Sequence, residues 1–97
     1  MPKYVIVRHF DVGAAGMPEV GSRSRRVIED YFPEVTWHHS HIAVEDEGRV
    51  RTFCIYEAPD IEAVMAHAKL LGKHNVDGVF EIAGDVTPED FPLGDPV

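Results

Sequence analysis

The sequence is poor in cysteine and in positive charge. It has a single cysteine, Cys54, among 97 residues, so no disulfide can form within the chain. A small secreted domain held together by disulfides is therefore excluded. Lysine and arginine total 9 against 17 aspartates and glutamates, which gives a net charge of −8. Because nucleic-acid affinity comes largely from basic side chains that neutralise phosphates, we expect no nucleic-acid partner.

Long apolar runs are also missing. The apolar segment near the N-terminus covers only residues 4–7, far fewer than the ~20 residues of a membrane span and too few for a signal-peptide core. We therefore expect a cytoplasmic protein with no membrane partner. The sequence also has no glycine-rich phosphate loop and no recognisable set of nucleophile, base and orienting residue.

Hydrophobic patterning predicts four strands and two helices. Apolar residues at helical spacing between Val20 and Tyr31 predict a first helix that ends near Pro33. The strands are predicted where β-branched and aromatic residues are frequent. They cover residues 4–10, 35–44, 50–57 and 79–83.

The second helix has signals at both ends. Asp60 is a good N-cap, and Gly72 is typical of a helix C-terminus. Lys69 and Lys73 suit the negative end of the helix dipole. Further along, "TPED" at residues 87–90 resembles a capped helical turn with proline in its first position.

The resulting order, β-α-β-β-α-β, predicts an α+β protein with the ferredoxin-like arrangement. In this arrangement a four-stranded antiparallel sheet carries two helices on one face. We expect a single domain over residues 1–97, with a core of about residues 3–84 and an irregular C-terminal tail over 85–97.

Strand alternation sorts the side chains into two faces. We expect the helices to cover the aliphatic face, and a two-residue turn at Glu47–Gly48 to pair Ile42 with Phe53. The opposite, helix-free face is then predicted to carry Tyr4, Ile6, Arg8, Trp37, His39, His41, Thr52, Cys54, Tyr56, Val79 and Glu81.

The segment "TWHHSHI", residues 36–42, contains three of the six histidines. In the expected register, His39 and His41 lie about 7 Å apart along one strand, and Cys54 lies across from His41. Imidazole and thiolate are good ligands for nickel, zinc and copper. The pattern therefore predicts a divalent-metal site, with hydrogen-bonded histidines and a simply buried cysteine as the alternative. By alternation His38 points away and is not counted as a ligand.

The aromatic side chains on the predicted helix-free face would be costly to expose. We therefore expect two copies to pack sheet against sheet as a homodimer, a dimeric α/β barrel. The enclosed pocket would include Arg8, Trp37, Tyr56 and Glu81. Arg8 and Glu81 are expected to pair with each other or to hold a ligand.

Three segments, "VTWHHSHI", "FCIYEAPDIEAVMAHAKLLG" and "VFEI", resemble a small family of domains of unknown function that includes a nickel-binding protein. The resemblance covers roughly residues 35–83, with a looser match at residues 4–10. It implies a ferredoxin-like fold of the dimeric α/β-barrel type and binding of nickel. Cys54, Tyr56 and His67 match the family pattern, and this adds His67 to the expected ligands. At positions 38, 39 and 41 the family commonly carries other residues.

Three functions stay open. The first is metal binding for sequestration or sensing, with nickel or a similar divalent ion. The second is a small-molecule enzyme or ligand-binding protein that uses the helix-free face as a pocket, with His39 or His41 as a general base. The third is an interaction module whose dimer interface is simply packed.

Overall fold

The computed structural model describes residues 1–72 and 74–96. Its elements are β1 (Lys3–Phe10), α1 (Met17–Tyr31), β2 (Thr36–Val44), β3 (Val50–Glu57), α2 (Ile61–Leu71) and β4 (His74–Glu81). The four strands form one antiparallel sheet in the order β2-β3-β1-β4. Helix α1 connects β1 to β2, and helix α2 connects β3 to β4. The ferredoxin-like βαββαβ fold predicted from the sequence is confirmed.

Both predicted ends of α2 are present. The Asp60 carboxylate accepts a hydrogen bond of 2.9 Å from the backbone N–H of Ala63, and Gly72 ends the helix with a φ of 67°. Lys69 lies in the last turn, whereas Lys73 lies outside the described residues. Within the described part of the chain, neither helix is long and apolar enough to cross a bilayer.

The chain beyond β4 contains the short turn that "TPED" predicts. Pro88–Asp90 forms one turn of 3-10 helix. The backbone N–H of Thr87 donates to the Asp90 carboxylate at 2.8 Å, which closes a capping box.

Strand β4 begins five residues earlier than the predicted range 79–83. His74 already pairs with Phe10 at the far end of β1. The residues before Val79 are mostly polar and therefore give no strand signal. The pairing of β4 with β1 is also irregular in this part of the strand. Val7 lies opposite Gly78 while the next β1 residue lies opposite Val76, so Asp77 is an extra, bulged residue.

The helices cover the face opposite to the one predicted. In β1 every second residue from Tyr4 to Phe10 is buried, and the same holds in β3 from Val50 to Tyr56. The aliphatic face is left without helices, and Phe80 there is 58% exposed. The covered layer contains aromatic rings and buried polar groups such as Arg8 and Tyr56, which hydrogen bond to each other. Aliphatic content was therefore a poor guide to burial.

The turn between β2 and β3 explains one register error. It has three residues, Asp46–Gly48, with Glu47 in the left-handed region at a φ of 66°. The extra residue shifts the pairing by one position, so His41 lies opposite Phe53 and not opposite Cys54. A one-residue shift exchanges the two faces of a strand. The predicted two-residue turn is therefore wrong.

A bulge in β2 reverses the alternation once more. Trp37 lies opposite Tyr56, and His39 lies opposite Ile55, the next residue back along β3. His38 is therefore the extra residue. As a result Trp37 lies on the covered face with Tyr56, while His39 lies on the helix-free face.

Candidate functional site

The four predicted metal ligands lie on opposite faces of the sheet. His39 and His41 are exposed on the helix-free face. Cys54 and His67 are buried between the sheet and the helices. The prediction that Cys54 shares a face with His39 and His41 is wrong, because the turn and the bulge change the register of β2. Across residues 1–72 and 74–96, no three His, Cys, Asp or Glu side chains are arranged to hold one metal ion.

Histidine side chains lie close together on the helix-free face. The rings of His39 and His41 have centroids 5.2 Å apart and are nearly perpendicular, at 83°. His38 lines the same depression and its Nε2 lies 3.2 Å from an Oε1 of Glu57, so it does not point toward the helices. The depression has a volume of about 350 Å³ and also includes Lys3, Ile55, Ile82 and Asp85.

His67 is enclosed on the other side of the sheet. It is fully buried on α2, with its Nε2 3.1 Å from the Ser24 hydroxyl of α1. Burial, and to a smaller extent the positive charge of Arg8, lower the pKa of His67 to about 4. The imidazole is therefore neutral at pH 7 and serves as a hydrogen-bonding group of the core.

Arg8 is the most unusual residue of the covered face, because a charged side chain is buried there and the residue is only 2% exposed. Its Nη2 donates to the Tyr56 hydroxyl at 2.6 Å, and its Nη1 lies 3.4 Å from Nε2 of His74. Burial raises the pKa of Tyr56, and the charge of Arg8 offsets part of that rise. Both partners of the guanidinium are thus neutral near pH 7, since burial also lowers the pKa of His74.

The predicted pairing of Arg8 with Glu81 is wrong. Glu81 is exposed and lies opposite Tyr4 near the start of β1. Arg8 lies four residues further along that strand, which separates the two side chains by about 13 Å along the strand direction. Glu81 therefore does not belong to the same site as Arg8.

Arg8, Trp37 and Tyr56 do line one cavity, but it lies between the sheet and α1. Its volume is about 80 Å³. Sequence reasoning did not assign Ser24 or Thr52 to a site, although both line this cavity. A signal was present, because Ser24 occupies a position within the apolar stripe of α1, where a polar residue indicates a buried hydrogen-bond partner.

Comparison with known proteins gives a family and a set of similar folds. A family model described as "Nickel responsive protein SCO4226-like" matches residues 4–82. A search of functionally curated proteins gives no match.

Three solved structures resemble this chain. The crystal structure of SCO4226 from Streptomyces coelicolor A3(2) has a TM-score of 0.67 at 17% identity, over 87% of this chain and 99% of that one. The C-terminal domain of the MgtC protein from Mycobacterium tuberculosis has a TM-score of 0.59 at 10% identity, over 87% and 88%. SnoaB, a cofactor-independent oxygenase from Streptomyces nogalater, has a TM-score of 0.53 at 15% identity, over 91% and 99%. At such low identities these likenesses establish the fold alone.

Proposed function

The chain belongs to the SCO4226-like family of nickel-responsive proteins, and we propose that it binds a divalent metal ion, nickel or a similar one, through His39 and His41. The observation that carries this proposal is the pair of exposed, adjacent imidazoles on β2. Imidazole nitrogen is a good ligand for nickel, copper and zinc. Within the described residues, neither ring is engaged in a hydrogen bond to another side chain.

The spacing of the two rings suits a shared ion. With metal–nitrogen bonds of about 2 Å, two imidazoles bound to one ion have ring centroids about 5 Å apart. The centroids of His39 and His41 are separated by 5.2 Å. The two rings therefore have the separation that a shared ion requires. Since no third His, Cys, Asp or Glu of the described residues is arranged around such an ion, water is one source of ligands for the remaining positions.

A second copy of the chain is the other source of ligands, and we propose that the protein is a homodimer. The helix-free face carries an apolar patch that consists of Val5, Val7, Phe53, Ile55, Phe80 and Ile82. A sheet with one bare apolar face is stabilised when that face is covered. His39 and His41 lie on the same face along the edge strand β2, so packing of two sheets would bring the imidazoles of one copy toward the other.

We propose that the protein is located in the cytoplasm. The only cysteine, Cys54, is a free thiol buried under the helices, and a chain that relies on no disulfide is suited to a reducing compartment.

Calorimetric titration of untagged protein with Ni²⁺ and Zn²⁺ tests the metal proposal. His39→Ala and His41→Ala should each weaken binding by roughly ten-fold or more, because each removes a ligand. Cys54→Ser should leave the affinity unchanged, since the sheet separates this thiol from the imidazole pair. His9→Ala is a matched control, because His9 lies on the same face but is held by Asp77 at 2.9 Å. A wild type that binds neither ion, or a control as damaging as His39→Ala, would contradict the proposal.

A further inference from the structure

We propose that the cavity beneath α1 binds a small carboxylate, with Arg8 as the cation that holds it. This site lies on the opposite side of the sheet from His39 and His41, so it does not depend on the proposed metal site. The inference rests on three observations: a buried charge without an anion, a buried hydroxyl without a partner, and a largely apolar cavity that both residues line.

The first observation concerns the guanidinium. Arginine has five N–H donors and stays charged in proteins. Arg8 uses one of them toward Tyr56, has a second near His74, and its Nε has no partner within residues 1–72 and 74–96. A buried charge is costly unless an opposite charge or several hydrogen bonds compensate it. Among these residues Arg8 forms no salt bridge, so the compensating anion is still to be supplied.

The described surroundings of Arg8 supply no negative charge. The pKa values of His67 and His74 are both lowered, first by burial and also by the charge of Arg8. Neither histidine adds a positive charge at pH 7, and no described carboxylate is in contact. A bound anion is therefore attracted to this end of the cavity without competition from a resident acid.

The second observation concerns Thr52. It lies directly opposite Arg8 across the β1–β3 pairing, on the same face of the sheet. Its hydroxyl is buried and has no hydrogen-bond partner among the described residues. Both side chains line the cavity. A carboxylate has two oxygens, so it can accept N–H bonds from a guanidinium and an O–H bond from a hydroxyl at the same time.

The third observation concerns the size and the walls of the cavity. Its volume of about 80 Å³ is roughly half of the ~150 Å³ cavity that holds benzene in another protein. The remaining walls are largely apolar, and one of the lining side chains, Ile42, is itself exposed. These walls include Phe10, Met17, Val20, Ile42 and Leu71. The cavity therefore suits a short carboxylate whose alkyl group lies against the apolar side chains.

The same features disfavour inorganic phosphate. Phosphate groups carry about 1.5 to 2 negative charges near pH 7, whereas the site offers one guanidinium and no further cation among the described lining residues. A doubly charged, strongly hydrated ion would gain little from the apolar walls. A monocarboxylate matches the single charge of Arg8 and also buries apolar surface.

The chain contains its own reporter for this site. Trp37 is the only tryptophan, it lines the cavity, and its ring stacks on Tyr56 with a centroid distance of 6.2 Å. We expect propionate and acetate to change the Trp37 fluorescence in a saturable manner at constant ionic strength. Propionate should bind at least ten-fold more tightly than phosphate or chloride. Equal effects of all four anions, or no saturation with the carboxylates, would overturn the proposal.

Three variants separate binding from general salt effects. Gly21 lies on α1 at the cavity, with open space where a Cβ would stand. Gly21→Leu should therefore fill the cavity and abolish the propionate response while Arg8 and the fold are kept. Ser22→Leu, one residue along and exposed, is the matched control and should respond like the wild type. Thr52→Val should weaken propionate binding several-fold.

Thermal unfolding provides a second readout. Propionate at a hundred-fold excess over its Kd should raise the Tm of the wild type by roughly 10 °C. Arg8→Met should remove this rise, because it removes the cation that holds the carboxylate. If Arg8→Met fails to fold, the propionate response of Gly21→Leu still tests the site. Persistence of the propionate response in Gly21→Leu would refute the site.

Discussion

Trp37 and His39 lie on opposite faces of the sheet although only one residue separates them. Trp37 is opposite Tyr56 and faces the helices, whereas His39 is opposite Ile55 and faces away from them. The bulge at His38 produces this reversal. One strand thereby contributes to both proposed sites, the cavity beneath α1 and the exposed imidazole pair.

Two deletions in β2 test the bulge. Deleting His38 should restore regular pairing and keep every other side chain on its present face, so the free energy of unfolding should change by less than about 1 kcal/mol. Deleting Ser40 should instead bring His39 opposite Cys54, toward the covered face, and remove the 2.9 Å hydrogen bond from Trp37 Nε1 to the Ser40 hydroxyl. We expect a loss of about 2 kcal/mol or more for this deletion. Urea unfolding measures both, and the reverse order would show that His38 is not the extra residue.

Removal of the Tyr56 hydroxyl tests how much the hydrogen bond from Arg8 contributes to stability. Tyr56→Phe takes away the oxygen that accepts from Arg8 at 2.6 Å and leaves a further N–H of a buried cation unpaired. The free energy of unfolding should fall by about 1–3 kcal/mol. Tyr31→Phe is the matched control, because Tyr31 is 66% exposed, and it should change stability by less than about 0.5 kcal/mol. Equal effects of the two substitutions would mean that the hydrogen bond to Arg8 contributes nothing.

The sequence predicted the elements and their order because these follow from local patterns. Alternation also grouped the inward-facing residues of β1 and β3 correctly, since both strands keep an unbroken period of two. It failed in β2 for two local reasons. The turn contains Glu47 at a positive φ, where glycine or asparagine is the usual residue, and the bulge at His38 has no sequence signal. Each feature shifts the register by one residue.

The choice of the covered face failed for another reason. Aliphatic content favoured the face with Phe53 and Ile55. The helices instead cover the face on which Arg8 donates to Tyr56, and their own Ser24 and His67 pair with each other. Such complementarity between distant segments is set by tertiary packing and not by any single strand. The imidazole pair was therefore predictable from alternation, whereas the cavity around Arg8 was not.

Phe80→Glu tests the proposed dimer. Phe80 is 58% exposed on the helix-free face, and a carboxylate there would oppose close packing of two sheets. Light scattering should report about twice the chain mass of 10.8 kDa for the wild type and a single chain mass for the variant. Phe91→Glu is the control, because Phe91 is 60% exposed but lies beyond the sheet, and it should remain dimeric. A wild type that is monomeric at micromolar concentration would contradict the dimer.

The pH dependence of stability should carry the signature of His67. In the unfolded chain its pKa is 6.5, and in the folded protein burial and the charge of Arg8 lower the pKa to about 4. Between these values the unfolded state binds more protons, so stability is complete above pH 6.5 and is lost as the pH falls toward 4. Below pH 4 the loss reaches its full value, about 3 kcal/mol.

His67→Gln removes this titration and keeps an amide group able to hydrogen bond with Ser24. Urea unfolding between pH 4.5 and pH 7.5 should therefore give a shallower pH dependence for the variant than for the wild type. Part of the dependence should persist, because burial lowers the pKa of His74 as well. At pH 7.5 both histidines are neutral in either state, so the difference between the two proteins there reports only the packing of the new side chain. Parallel curves for variant and wild type over the whole range would mean that His67 has the same pKa in the folded and unfolded states, which would contradict the lowering by burial.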